Sequence, residues 1–329
     1  MGQIIDTEGR VCEQTKWHSR QKHAFLEAYL DIWSNQVGKD GKSRLPTLDI
    51  FDLYASSGLC YCPEEKNTWK GSSLLAAECL KKYQSGRLLF LNTFGQDQEE
   101  TIAQKLALET SLINLQLPKR INYLIKTLPI DLAVDEAIKN VNPNFPNLWI
   151  LDPYKPQDLP WSIVEKICKL EGSYTKGKYT EIRRPELFIN LMTSTLQRDT
   201  GIDCLKDDWV GISLGMKKEE WESKMKKYIG MGKNTREALI LLYAEKISKF
   251  YKKPPIILEV PSNDGAIVYT IFLCTDHNAG HYVMKLQKLP QYQKWRKVEW
   301  ENSAETISAK KKIQRKAEKS GQKQLFFES

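Results

Sequence analysis

The chain has 329 residues, 41% of them hydrophobic and 27% charged, with a formal net charge of +8, a composition that fits a folded globular protein and excludes a disordered or fibrous one. No apolar run approaches the ~20 residues that a transmembrane helix needs, and the N-terminus lacks the apolar core of a secretory signal. We therefore expect a cytoplasmic protein without membrane contact, whose seven unevenly spaced cysteines are reduced thiols.

Strands and helices alternate over most of the chain. Short apolar runs predict strands at 48–54, 87–92, 121–126, 147–152 and 186–192. Apolar residues at helical spacing predict helices at 20–37, 72–83, 97–109, 130–141 and 161–170. Five strands that alternate with helices predict a doubly wound, mostly parallel sheet.

The pattern changes after the fifth strand. Short polar helices are predicted from 194, followed by a long helix at 235–251, and two apolar runs around the turn SNDG then predict an antiparallel hairpin. The expected fold is therefore α/β, with a doubly wound, mostly parallel seven-stranded sheet and a helical insertion. The expected divisions are an N-terminal helical segment (1–45), a core with strands one to five (46–193), the helical insertion (194–252), the closing hairpin and helix of the core (253–290) and a basic C-terminal tail (291–329).

The first predicted strand runs into a loop of small residues. Asp52 ends the strand, and Ala55, Ser56 and Gly58 form a tight turn in which backbone amides can approach a ligand. An ordinary connection between a strand and a loop accounts for these residues equally well.

Six segments occur in the order in which a known family carries them. They are a helix with Lys22 and His23 followed by Tyr29 and Trp33, the loop DLYASSG (52–58), GSSLLAAECL (71–80), LDPYKPQDLPW (151–161), the Ile189-Asn190 strand, and TDHNAGHYVMK (275–285). Together they resemble the three-Cys-motif partner protein family, in which the loop reads Asp-x-Phe-Ala-Gly-x-Gly.

The resemblance implies a class I S-adenosylmethionine-dependent methyltransferase-like, Rossmann-like fold. It implies S-adenosylmethionine as cofactor and a three-Cys-motif protein as partner. The implied cofactor-binding residues are Asp52, Tyr54, Ala55, Ser56, Gly58 and Asn92. Ser56 replaces the family's middle glycine, and Asn92 stands where such folds offer an acid to the ribose, so we expect weak cofactor binding.

The fourth predicted strand ends in Asp152, Pro153 and Tyr154, which resemble the Asp-Pro-Pro-Tyr motif of amino-methylating enzymes with one proline missing. The resemblance makes these three residues the catalytic candidates, with Asp152 accepting the protons of a target amine and Tyr154 stacking on a base. A plain strand end followed by a proline-shaped turn is the alternative. Lys22 and His23 either reach this site or lie on a solvated helix face.

Basic residues suggest further partners. The loop 172–184 combines tyrosines with Lys176, Lys178, Arg183 and Arg184, which suits nucleic acid but also a solvated loop. Residues 308–324 hold seven basic side chains and one acidic one. Beyond them, the spacing of Gln322, Leu325, Phe326 and Phe327 resembles peptides that bind a sliding clamp, although these residues could equally dock on the protein's own body.

No metal site is expected. His277 and His281 lie four residues apart, but two imidazoles are too few ligands, so a loop or capping role is favoured. The hypothesis with most support is an S-adenosylmethionine-dependent methyltransferase-like protein that acts on or with nucleic acid. The alternative is a catalytically inactive methyltransferase-like partner or scaffold that binds another protein or nucleic acid.

Overall fold

The computed structural model describes residues 3–37, 47–83, 86–92, 98–176, 179–200, 208–262 and 266–276. The strands are β1 (Gln3–Ile5), β2 (Val11–Gln14), β3 (Asp49–Asp52), β4 (Leu59–Cys62), β5 (Asn67–Lys70), β6 (Gly86–Asn92), β7 (Ile121–Thr127), β8 (Asn147–Leu151), β9 (Gly172–Lys176), β10 (Tyr179–Arg183), β11 (Glu186–Leu191), β12 (Ile256–Pro261) and β13 (Ile267–Cys274). The α-helices are α1 (Ser19–Val37), α2 (Ser72–Tyr83), α3 (Gln98–Asn114), α4 (Ile130–Asn140), α5 (Trp161–Cys168), α6 (Thr193–Asp199), α7 (Trp209–Leu214), α8 (Lys218–Gly230) and α9 (Thr235–Ile247).

These strands form more than one sheet. A mixed four-stranded sheet has the order β1-β2-β4-β5, in which β2 and β4 are parallel and the other pairs antiparallel. The larger sheet, also mixed, has the order β12-β13-β11-β8-β3-β6-β7. In it the five strands from β11 to β7 are parallel, and β13 pairs antiparallel with both β11 and β12. A separate hairpin joins β9 and β10.

The predicted fold class is therefore wrong. We expected one doubly wound, mostly parallel seven-stranded sheet, and the structure is an α/β protein built on mixed sheets, with a four-stranded sheet that the sequence reading missed altogether. That sheet interrupts the alternation directly after the first predicted strand, where β4 and β5 precede α2. Its strands of three or four residues are too short to show a period of two, and its small core consists of Trp17, Cys60, Cys62 and Trp69 rather than branched aliphatic residues.

Other expectations fared differently. The five predicted strands and the helices between them are confirmed, with shifts at their ends, and α6 to α9 lie where helices were predicted. The segment 172–184, read as a loop, is the β9–β10 hairpin. Strands β1 and β2 occupy residues that were expected to belong to a helical segment. None of the described helices is both long enough and apolar enough to cross a membrane.

Two glycines, Gly58 and Gly71, lie at the two ends of the segment that contains β4 and β5, and they contact each other. The amide of Gly71 donates a hydrogen bond of 2.8 Å to the carbonyl of Gly58, so the start of α2 returns to the loop that follows β3. Gly58 has a φ of +82°, a conformation that side chains disfavour. A Cβ atom there would lie 2.9 Å from Leu108 Cδ1 and 3.0 Å from Leu74 Cγ.

Gly58→Ala should therefore lower the free energy of unfolding by about 2 kcal/mol, because backbone strain and overpacking act together. The matched control is Gly9→Ala, since Gly9 has a φ of +79° but nothing within 4 Å of its Cβ position. The control should cost only about 1 kcal/mol, from backbone strain alone. Urea unfolding measures both variants, and equal losses would show that packing around Gly58 is looser than described.

Helix α1 is fixed against the large sheet by a buried carboxylate. Tyr29 donates a hydrogen bond to Oε2 of Glu186 at the start of β11, and Trp33 Nε1 donates to Oε1 at 2.9 Å. Lys22 precedes Tyr29 by seven residues, about 10 Å along a helix. Asn190 follows Glu186 by four residues, about 13 Å along a strand. The helix thus runs antiparallel to β11 and brings Lys22 to the strand's carboxyl end.

Candidate functional site

A narrow pocket lies at the carboxyl ends of β3, β8 and β11. After β3 the chain continues to β6 on one side, and after β8 it continues to β11 on the other, so the connections diverge between these two neighbours. Such a divergence leaves a crevice outside the strand ends, where open α/β sheets bind their ligands. The position alone therefore marks a candidate ligand site.

Elements of both sheets supply the lining. The lining residues are Glu13 from β2, Lys22 and His23 from α1, Tyr54, Ala55, Ser56 and Gly58 after β3, Leu59 and Cys60 from β4, Gly71 and Ser72 at the start of α2, Asp152, Pro153 and Tyr154 after β8, Asn190 and Met192 at the end of β11, and Tyr269 from β13. The four-stranded sheet thus forms one wall of the pocket.

An ion pair forms the polar centre of the pocket. Lys22 Nζ lies 2.8 Å from Oδ1 and 2.6 Å from Oδ2 of Asp152, and the two side chains are only 9% and 12% exposed. Asn190 Nδ2 donates a further hydrogen bond of 2.7 Å to Oδ1 of Asp152. The Lys22 ammonium also lies 5.4 Å from the ring centre of Tyr269, a cation–π distance. Asp152 is therefore held in one orientation by charge-assisted hydrogen bonds.

Asn190 carries an unmatched acceptor. Its residue is 1% exposed, and its Oδ1 has no hydrogen-bond partner among the described residues. The amide orientation follows from the network, because the nitrogen must face the Asp152 carboxylate. A buried acceptor without a partner is costly, and a ligand with an N–H or O–H group would satisfy it.

His23 is held as a neutral ring. Burial and the positive charge of Lys22 lower its pKa well below the usual value. Trp69 Nε1 donates to Nδ1 of His23 at 2.9 Å, so the ring proton is on Nε2, the nitrogen 4.0 Å from Oδ2 of Asp152. The thiol of Cys60 lies 4.0 Å from the same Nδ1. Nδ1 of His23 already accepts the hydrogen bond from Trp69, and burial raises the pKa of Cys60. His23 therefore does not activate the Cys60 thiol as a nucleophile.

Glu13 and Tyr154 form a second polar group in the pocket lining, which also includes Ser56. The Tyr154 hydroxyl lies 3.4 Å from Oε2 of Glu13, and the nearby Ser56 hydroxyl lowers the pKa of both groups. Burial raises the pKa of Glu13, the charge of Lys22 opposes that rise, and the charge of Asp152 adds to it. Burial likewise raises the pKa of the Tyr154 phenol.

The loop after β3 takes the shape that the sequence pattern suggests for a ligand loop. Ser56 has a φ of +51°, a left-handed conformation, and Gly58 has a φ of +82°. Ser56 therefore adopts a backbone that glycine would occupy more easily, which costs of order 1 kcal/mol. The Tyr54 hydroxyl donates a hydrogen bond of 2.5 Å to the carbonyl of Asp158, which links the loop to the segment after β8.

Asp52 lies behind the pocket rather than in its wall. It is completely buried, its Oδ1 accepts the amide of Tyr54 at 3.1 Å, and its Oδ2 has no partner within the described part of the chain. Burial raises the pKa of Asp52 to about 7, although the Ser72 hydroxyl and the Tyr54 amide oppose the rise. Asp52 is therefore suited to shaping the loop through Tyr54, and it does not line the ligand pocket.

The structure brings most of the predicted cofactor-binding and catalytic residues together. Those in the pocket are Tyr54, Ala55, Ser56, Gly58, Asp152, Pro153 and Tyr154. Asn92 is the last residue of β6, the strand next to β3, as the sequence predicted. Its side chain lies outside the described part of the structure. Lys22 and His23 are buried in the pocket wall, so the reading of a solvated helix face is wrong.

The predicted nucleic-acid residues lie elsewhere. Arg183 donates a hydrogen bond of 2.9 Å to the carbonyl of Asn144, which precedes β8. Arg184 forms an ion pair with Glu171 at 2.5 Å. Both arginines are thus at the amino ends of the strands, away from the pocket. The side chain of Lys176, all of Lys178, His277 and His281, and the tail residues Gln322, Leu325, Phe326 and Phe327 lie outside the described residues.

Sequence reasoning missed several lining residues. Glu13, Cys60, Gly71, Ser72 and Tyr269 reach the pocket through pairings between distant segments, such as Glu13 of β2 beside Cys60 of β4. The sequence carried one usable signal, a polar Asn190 near the carboxyl end of the otherwise apolar strand segment 187–192. Across the described residues, no group of three or more His, Cys, Asp or Glu side chains is arranged to hold a metal ion.

Comparison with known proteins adds no identification. The sequence matches no protein-family model, and it matches no curated protein. Functional inference therefore rests on the pocket itself and on the sequence resemblance.

Proposed function

We propose that the pocket binds S-adenosylmethionine and that the protein is a methyltransferase-like protein acting on or with nucleic acid. The observation that carries the proposal is the meeting of two strand-end motifs in one pocket. The loop Tyr54–Gly58 after β3 and the triplet Asp152–Tyr154 after β8 line the same crevice, at the divergence of the sheet connections. The resemblance to three-Cys-motif partner proteins supports the same cofactor and a partner of that kind.

The pocket's chemistry fits the cofactor in two respects. The loop backbone at Ser56 and Gly58 is left-handed, which turns the chain sharply beside the crevice. The unmatched Oδ1 of Asn190 can accept a hydrogen bond from an amino or hydroxyl group. When bound, S-adenosylmethionine supplies an activated methyl group.

The chain's own residues would then position the acceptor. Lys22 and Asn190 orient Asp152, whose remaining lone pair on Oδ2 can accept a proton-bearing group of a substrate. Tyr154 is only partly buried beside it, and its ring offers a stacking surface for a base. The basic residues 310–323 of the sequence would add affinity for phosphates.

The inactive alternative is also supported by a specific observation. Both oxygens of Asp152 are already engaged by Lys22, and the pocket is narrow. A carboxylate that is neutralised in this way is a weaker acceptor for a substrate amine. The alternative protein would bind a partner or nucleic acid without transferring a methyl group.

Two measurements on the wild-type protein separate these functions. Calorimetry with S-adenosylmethionine and S-adenosylhomocysteine should show binding, and incubation with methyl-labelled S-adenosylmethionine and mixed DNA or RNA should label the nucleic acid. Tyr154→Ala should lose most of the labelling, whereas Tyr123→Ala, on the half-exposed strand β7, should retain it. Binding without labelling supports the inactive alternative, and no binding at millimolar ligand contradicts both the cofactor and the methyltransferase proposals.

We also propose that the protein acts in the cytoplasm. The six cysteines that the structure describes are all buried thiols, as expected where thiols are kept reduced. The proposed sliding-clamp contact through Gln322, Leu325, Phe326 and Phe327 stays a sequence prediction, since the tail lies outside the described residues.

A further inference from the structure

The charges that line the pocket do not balance. Glu13 and Asp152 contribute carboxyl groups, and Lys22 is the one lysine or arginine among the described lining residues. Lys22 lies within 2.8 Å of both Asp152 oxygens and is committed to that partner. His23 is neutral because burial lowers its pKa well below the usual value. The pocket therefore holds one carboxyl group more than its cations can match.

Glu13 is the carboxyl group in this lining without a cation at contact distance among the described residues. Its side-chain hydrogen-bond neighbour is the hydroxyl of Tyr154, at 3.4 Å from Oε2. Glu13 is partly buried in the pocket wall, where water solvates its charge less fully than at the surface, and this burial raises its pKa. A desolvated carboxylate is stabilised when a cation comes into contact with it, or when it takes up a proton.

Asn190 provides an independent indication of a ligand. Its Oδ1 is buried and unmatched among the described residues, and the residue lines the same pocket. The carboxylate oxygens of Glu13 and Oδ1 of Asn190 are thus hydrogen-bond acceptors in the pocket lining. A complementary ligand group must donate hydrogen bonds and carry positive charge. A protonated amine meets both requirements, since it has three N–H donors and one charge.

We propose that the pocket selects its ligand through an ammonium group, which pairs with Glu13 and donates a hydrogen bond to Oδ1 of Asn190. This inference rests on the proposed cofactor site and names the part of the ligand that Glu13 recognises, the α-amino group of S-adenosylmethionine or S-adenosylhomocysteine. The four-stranded sheet then has a role, because its strand β2 carries Glu13 into the pocket wall.

The titratable groups around Glu13 come from every neighbouring element. They are Lys22 on α1, Asp52 on β3, Cys60 on β4, Asp152 and Tyr154 after β8, and Tyr269 on β13. Burial raises the pKa of Glu13 in the ligand-free protein. An ammonium group in contact with Glu13 favours the charged carboxylate and lowers that pKa, so ligand binding should release protons at those pH values where Glu13 is partly protonated.

The test is a thermodynamic cycle that changes one protein group, the Glu13 carboxylate, and one ligand group, the α-amino group. Calorimetry compares S-adenosylhomocysteine with its analogue lacking the α-amino group, on the wild-type protein, on Glu13→Gln, and on the control Glu219→Gln at an exposed site on α8. The wild type and the control should prefer the amino compound by about tenfold or more, and Glu13→Gln should reduce the preference to less than about threefold.

The outcomes separate the two proposals. If the wild type binds neither compound, the proposed cofactor site is wrong and this inference fails with it. If the wild type binds and Glu13→Gln keeps the full preference, only the role of Glu13 is wrong. If Glu13→Gln does not fold, the wild type decides alone. Calorimetry in buffers of different ionisation enthalpy, repeated from about pH 4.5 to about pH 7, should show more proton release with the amino compound than with the analogue towards the acidic end. Proton release that is the same for both compounds throughout overturns the inference.

Discussion

Lys22→Met is expected to lower the free energy of unfolding by about 3 kcal/mol at neutral pH. The substitution keeps the length and apolar bulk of the side chain but leaves the carboxylate of Asp152, only 12% exposed, without its cation. Removing one partner of a buried ion pair typically costs about 3–5 kcal/mol, because the other charge stays desolvated. Urea unfolding with a two-state fit measures the change.

The double variant Lys22→Met, Asp152→Asn should recover most of that loss, since the uncompensated charge is gone and Asn190 can still hydrogen-bond the new amide. Lys82→Met is the matched control, because the Lys82–Asp31 pair lies at the surface with side chains 66% and 50% exposed. The control should change stability by less than about 1 kcal/mol. Equal effects at Lys22 and Lys82 would mean that water reaches the Asp152 carboxylate freely.

Asp52→Asn is expected to stabilise the protein above neutral pH, by up to about 4 kcal/mol at pH 8. The carboxyl group is completely buried, and its pKa is raised to about 7. An unfolded aspartate has a pKa near 3.9. Between these two values the folded state holds more protons than the unfolded state, so wild-type stability should fall as the pH rises from about 4 to about 7 and then level off.

The side-chain amide introduced by Asp52→Asn has no proton to lose in this range, so the accompanying fall in stability should disappear. Chemical unfolding at intervals from about pH 4.5 to about pH 8.5 measures the two profiles. The exposed Asp131→Asn is the control and should leave the wild-type slope unchanged. Parallel profiles for wild type and Asp52→Asn would show that Asp52 titrates in the folded protein as it does in the unfolded one.

Part of the site could be predicted because it depends on local sequence. Asp152 and the loop from Tyr54 to Gly58 each follow a buried apolar strand, and the carboxyl ends of neighbouring parallel strands meet at one edge of a sheet. Lys22 was a candidate on helix α1, and the buried contacts of Tyr29 and Trp33 with Glu186 show what brings it to the pocket.

The remainder depends on contacts between distant segments. Glu13 enters the pocket because β2 pairs with β4, whose Cys60 is 47 residues further along the chain, and neither strand is long enough to show a pattern by itself. The same short strands form the four-stranded sheet that made the predicted fold class wrong. Asp52, predicted as a cofactor contact, is not among the lining residues for a different reason: its side chain is buried and accepts the Tyr54 amide.

A crystal structure of the protein grown with S-adenosylhomocysteine would locate the ligand. We expect ligand density in the crevice between the Ser56–Gly58 loop and Asp152, with the ligand's amino group beside Glu13 and Asn190. Density for the ligand at another place on the surface, or an empty crevice at a ligand concentration that saturates binding in solution, would contradict this expectation.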